Sequence, residues 1–153
     1  MKRIFACVLG LLMTNTVFAA DNIDYNSPLG QWETIDDKTG KPHGVVTISQ
    51  AANGTLEAVI EKSIKVDDQE PRQICDLCTG ELKNHPIIGL KFMWDMKPKG
   101  SHYWEDGKIL DPDSGKVYSS HMTLAEDGKK LEVRGYMGVS LLGRSQEWLR
   151  VVE

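Results

Sequence analysis

Lys116-Val117-Tyr118-Ser119-Ser120-His121-Met122-Thr123-Leu124-Ala125-Glu126-Asp127-Gly128-Lys129-Lys130-Leu131-Glu132-Val133-Arg134-Gly135-Tyr136-Met137 is two alternating runs joined by a turn. In the first run Tyr118, Met122 and Leu124 share one face of an extended chain, with His121 on the other beside Val117 and Thr123. In the second, Leu131, Val133 and Met137 oppose Lys130, Glu132 and Arg134. A period of two marks strands with one dry and one wet face. Asp127-Gly128 suits a tight hairpin, because both residues tolerate positive φ.

The same pattern repeats on either side. Asn53-Gly54 and Asp106-Gly107 are further hairpin signals, and Asp111-Pro112-Asp113-Ser114-Gly115 reads as a turn with proline pre-setting one backbone angle. Strands are expected near 29–35, 43–50, 54–62, 86–95, 101–105, 108–111, 116–125, 129–137 and 144–152. In 54–62, Leu56, Ala58 and Ile60 oppose Glu57 and Glu61; in 86–95, Ile88, Leu90, Phe92 and Trp94 oppose Lys91 and Asp95. Long helical periodicity is absent. As a flat sheet these strands would leave two unpaired edges, and closure removes them. The expected fold is all-β, an antiparallel up-and-down barrel of eight to nine strands.

Such a barrel is either filled by its own side chains or holds one small ligand. Leu90, Phe92, Trp94, Tyr118, Met122 and Met137, joined by Trp104, are the expected cavity-lining set. Gly89 and Gly135 are placed opposite these inward sets and read as bends more than as room inside. Tyr118, or Arg134 acting at the mouth, is available to orient a polar group on a ligand.

Ahead of the strands, Lys2 and Arg3 precede an apolar stretch from Ile4 to Val17, and Val17-Phe18-Ala19 offers small residues at a cleavage site. Residues 1–19 are read as a secretory signal rather than a membrane anchor, and residues 20–153 as one domain in the periplasm or outside the cell. Removing Lys2 and Arg3 leaves 16 basic against 22 acidic residues, a net charge of −6. That balance argues against a nucleic-acid partner, which requires a basic surface.

Losing Cys7 with the signal leaves Cys75 and Cys78 as the one possible pair in an oxidising compartment. They lie in the longest gap between strands, 63–86, which also carries Pro71 and the charged run from Lys65 to Glu70. A disulfide pinning this connection is the favoured reading of Cys-x-x-Cys. Thiol exchange wants a stabilised thiolate, and acidic Asp76 lies between the cysteines. A metal site would need two more ligands, with His85 nearest and Asp76 or His43 further off.

Three stretches together resemble the bacterial envelope family catalogued as domain of unknown function 2147. They are Cys75 to Gly80 with His85 to Leu90, then Trp104 to Tyr118, then Leu131 to Gly138 with Leu142 to Arg150. The resemblance implies a secreted lipocalin-like barrel that binds a small apolar molecule and has no established enzymatic activity. Gly30-Gln31-Trp32 is similar to the Gly-x-Trp element that opens lipocalin barrels, which implies Trp32 stacking under an arginine of the last strand, Arg150 or Arg144.

No motif supports catalysis. Gly138-Val139-Ser140-Leu141-Leu142-Gly143 has the wrong spacing for a nucleophile elbow, and no serine, histidine and acid arrangement stands out. His43, His85, His102 and His121 lack ligand spacing, and Asp111-x-Asp113-x-Gly115 lacks the further ligands of a calcium loop. Neither a cofactor nor a metal is expected, and the chain is read as a binding protein rather than an enzyme. The leading expectation is a carrier of a small apolar or amphipathic molecule. The alternative is an envelope protein that docks a protein partner through the Cys75/Cys78 loop and its outer surface.

Overall fold

The computed structural model describes residues 23–152 other than Val66. The segment read as a signal, 1–19, and Cys7 with it lie outside the described residues. Eight strands follow in order: β1 Gly30–Ile35, β2 Pro42–Gln50, β3 Leu56–Ser63, β4 Lys91–Pro98, β5 Tyr103–Asp111, β6 Lys116–Leu124, β7 Lys130–Tyr136 and β8 Gly143–Arg150. Each pairs antiparallel with the next, and β8 returns to β1 through Trp32↔Arg150, Glu33↔Leu149 and Thr34↔Trp148. The sheet is a closed barrel, as the edge argument requires.

Asp127-Gly128 turns β6 into β7, with Ala125 and Lys130 paired across the turn. Asn53-Gly54 likewise turns β2 into β3. Asp106-Gly107 does something else. No turn forms there, and the two short strands expected on either side are one strand, β5. Asp106 takes a φ of 60°, and the pairing with β6 slips between Trp104 and Gly107. This is a β-bulge, the other conformation that an Asp-Gly pair makes cheap. Gly107 is buried, and a Cβ there would meet Met96 Sδ at 1.9 Å, so the absent side chain is the space Met96 occupies.

A second bulge corrects the reading of β4. Val59 pairs with Lys91 while its neighbour Ala58 pairs with Met93, so Phe92 is the extra residue. Phe92 and Met93 are both buried as a result, and the alternation changes phase. Trp94 is thereby carried to the outer wall, paired with exposed Lys108 and beside Lys91 and Asp95. Ile88, expected on the dry face, precedes β4 and is exposed.

The interior divides into two halves. One end is packed solid by Trp32, Ile48, Leu56, Met96, Trp104, Met122, Leu124 and Leu131, all buried in one cluster. Residues 23–29 lie against that end: Trp32 Nε1 donates to Pro28 O at 2.8 Å. Arg150 donates to Gly128 O, Leu29 O and Ser27 O at 2.7, 3.0 and 2.5 Å. The Arg150 guanidinium sits 4.2 Å above the Trp32 ring, the stacking that the Gly-x-Trp element implied. Among the described residues no helix is long and apolar enough to cross a membrane.

Candidate ligand cavity

The other end is hollow. A cavity of about 990 Å³ opens there, and its deep wall is apolar: Val46, Ile60, Ile87, Phe92, Ile109, Val133 and Trp148. The rings of Phe92 and Trp148 pack with centroids 5.9 Å apart. Sites for one drug-sized molecule run to about 300–1,000 Å³, so the space suffices for a single small ligand. Polar side chains share its lining. Tyr118, Thr34 and Gln146 line the wall, and Gln146 Oε1 accepts from Trp148 Nε1 at 3.3 Å.

The room comes from glycine as well as from strand spacing. Gly135 belongs to the cavity wall, on the same face as Val133, rather than opposite it as expected. A Cβ there would come within 3.3 Å of Ile109 Cγ2 and 3.6 Å of Tyr118 Cβ. Any side chain would project into the space between them.

The mouth is charged and cross-tied. Arg144 grips Asp37 through Nε at 3.0 Å and Nη2 at 2.5 Å, joining β8 to the β1–β2 loop. That ion pair raises the pKa of Arg144 above its ordinary value, first through the hydrogen bond and then through charge. Asp36 folds the same loop by accepting from the Lys38 and Thr39 amides at 3.0 and 2.7 Å. Desolvation pushes Asp36 upward, but the bonds from Thr39 and Lys38 outweigh it and lower its pKa below 3.8.

The long connection between β3 and β4 lies along the mouth, where Glu70, Pro71 and Arg72 border the opening. Cys75 and Cys78 are disulfide-bonded, with Cα atoms 5.3 Å apart. Both are buried. A sulfur without solvent access is a poor target for thiol exchange, which favours the structural reading of the pair. The loop is seated on the β5–β6 turn: Arg72 pairs with Asp76 and Asp113 at 2.5 and 3.6 Å. Leu77 O presses on Gly115, where a Cβ would lie 1.9 Å away and φ is +70°. Among the described residues no three His, Cys, Asp or Glu side chains are placed to hold a metal ion.

Of the residues expected to line the cavity, Phe92 and Tyr118 lie on its wall and Met137 at its rim, where Met137 is largely exposed. Leu90, Trp104 and Met122 are buried in the core but not on the wall. Trp94 is outside the barrel. Arg134 is committed elsewhere, donating to Ser140 O at 2.7 Å and Ser145 Oγ at 3.0 Å. Trp148 was missed for a readable reason. The inward face of β8 runs Arg144, Gln146, Trp148, Arg150, and three polar residues out of four disguise it; they sit at the mouth, on the wall and at the closed end.

The barrel is similar to a solved structure described as protein HP1028 from the human pathogen Helicobacter pylori, which belongs to the lipocalin family. The TM-score is 0.70 at 22% identity, covering 83% of this chain and 84% of that one. At that identity the likeness establishes the fold, a lipocalin-like barrel. A search of curated proteins found no match. The family described as uncharacterized protein conserved in bacteria, DUF2147, matches residues 30–150, across all eight strands, and this chain belongs to that family.

Proposed function

We propose that the protein binds and carries a small apolar or amphipathic molecule in the one-ended cavity, acting as a binding protein rather than an enzyme. The observation that carries the reading is the division of the cavity into an apolar floor around Phe92 and Trp148 and a charged mouth. An apolar tail burying on the order of 200 Å² against that floor gains roughly 5 kcal/mol before association costs. A polar head would remain among the mouth side chains. The signal-like segment at residues 1–19 and the disulfide support work in the periplasm or outside the cell.

Native mass spectrometry of the mature protein, purified from its own envelope without detergent, tests this directly. A mass excess that vanishes on denaturation is the expected result, and the excess identifies the ligand. Ile60→Trp, which fills the cavity from its wall, should abolish the excess while leaving the far-UV circular dichroism of a β-barrel. Bare wild-type protein in every preparation would sink the carrier reading. The alternative of a docked protein partner draws on Ile74, Leu77 and Ile88, exposed aliphatic residues of the disulfide loop. Under it, Leu77→Asp would abolish partner capture, with the cavity irrelevant.

A further inference from the structure

The β7–β8 connection projects from the cavity mouth and is uncharged, with Ser140 its one hydroxyl residue. Met137, Val139, Leu141 and Leu142 are 60, 59, 87 and 78% exposed. No charged residue occurs from Gly135 to Gly143, although Arg134 and Arg144 bracket the stretch. Four large apolar side chains on one turn are more than a monomer in water ordinarily leaves uncovered.

The turn is held up rather than loose. A single 3-10 turn, Ser140–Leu142, forms its tip. From beneath, Arg134 donates to the carbonyls of Ser140 and Leu141 at 2.7 and 3.4 Å and to Ser145 Oγ at 3.0 Å. The side chain that could have placed a charge in the cavity instead props up an exposed apolar tip.

Position identifies what covers it. Met137 and Leu142 also line the cavity, so the exposed apolar turn shares two of its side chains with the opening. A molecule that prefers this floor to water prefers a bilayer to water for the same reason. A tip of highly exposed aliphatic chains matches the deformable boundary between headgroups and acyl chains. The mature net charge of −6 offers no general attraction to an anionic surface, so apolar burial has to drive the contact.

We propose that the β7–β8 turn inserts into the interface of a zwitterionic phospholipid bilayer and seats the cavity mouth on the membrane. Insertion stands on the exposed turn alone. Passage of ligand between bilayer and cavity without crossing bulk water rests in addition on the carrier reading above.

The test is co-sedimentation of the mature protein with phosphatidylcholine and phosphatidylethanolamine vesicles, comparing wild type with the double variant Val139→Ser, Leu141→Ser, neither of which lines the cavity. Both positions are exposed, and circular dichroism verifies that the barrel is intact. The expected result is partition of the wild type that changes little with salt, and a loss on the order of 100-fold in the variant. In parallel, both proteins should take up an anilinonaphthalene sulfonate probe from water equally. Failure of the wild type to partition, or equal partition of the two proteins, overturns the proposal. So does self-association in lipid-free buffer that the double variant abolishes, since the turn would then be covered by a second copy. Vesicle binding that depends on the turn, with no probe uptake by either protein, upholds insertion and overturns the carrier reading and ligand transfer.

Discussion

The guanidinium of Arg150 touches three separate stretches of chain: Ser27 and Leu29 before the first strand, Trp32 within it, and Gly128 in the β6–β7 turn. Burial depresses the pKa of Arg150 from its ordinary value, yet an arginine remains charged at any physiological pH. Lysine cannot reproduce the fork that reaches three carbonyls while lying flat on an indole. Arg150→Lys should therefore cost about 3 kcal/mol, measured by urea unfolding, although charge is retained. A change below about 0.5 kcal/mol would show that charge alone suffices there. This residue was legible early, because Gly30-Gln31-Trp32 pointed to a partner in the last strand. Trp94 was legible as a strand residue but not as to side, since the bulge at Phe92 reverses its assignment.

Among the elements, the mouth loops divide into one held by a close backbone approach and one held by a carboxylate. Gly115 combines a left-handed φ with the carbonyl of Leu77 packed where a Cβ would be, so Gly115→Ala forces the disulfide loop off the β5–β6 turn. The expected cost is about 3 kcal/mol. It should be accompanied by faster amide exchange across residues 75–85 and faster reduction of the Cys75–Cys78 bond. Unchanged exchange would mean that the loop is not seated through this contact. Asp36 supplies a pH-dependent tie. Its folded pKa lies below 3.8, so its contribution is present above the unfolded value and is lost as pH falls through the lower folded value. Asp36→Asn should thus destabilise the protein near neutral pH and become neutral at about pH 2, as followed by thermal melting. Equal destabilisation at both ends would assign the effect to geometry rather than charge.

Across the whole molecule, the packed end and the hollow end make different demands on similar residues. Phe92 lines the cavity beside Trp148, while Trp94, two residues on, faces outward. Phe92→Leu should weaken retention of a bound apolar molecule roughly tenfold, and Trp94→Ala should leave it unchanged, measured by ligand titration in tryptophan or probe fluorescence. The reverse pattern would place the site on the outer wall. The residues chosen from sequence as cavity lining divide among wall, rim, core and exterior for one reason. Inward direction is set by local alternation, but whether an inward residue meets a void or a neighbour depends on the side chains facing it from strands far away in the chain.

Strand alternation, spaced turns and the cost of unpaired edges were enough, from the sequence alone, to determine a closed antiparallel barrel, because each of these acts over a few neighbouring residues. The pairing of Cys75 with Cys78 was within reach for a different reason: with Cys7 read as part of the signal, no other partner remained. Only the tertiary structure decided that Asp106-Gly107 bulges instead of turning, that Trp94 lies outside, and that the cavity occupies one end with an apolar turn standing over its mouth. Those outcomes depend on which residues meet across strands, as Met96 over Gly107 and Ile109 beside Gly135 do, and side-chain packing between distant segments leaves no periodic trace in the chain.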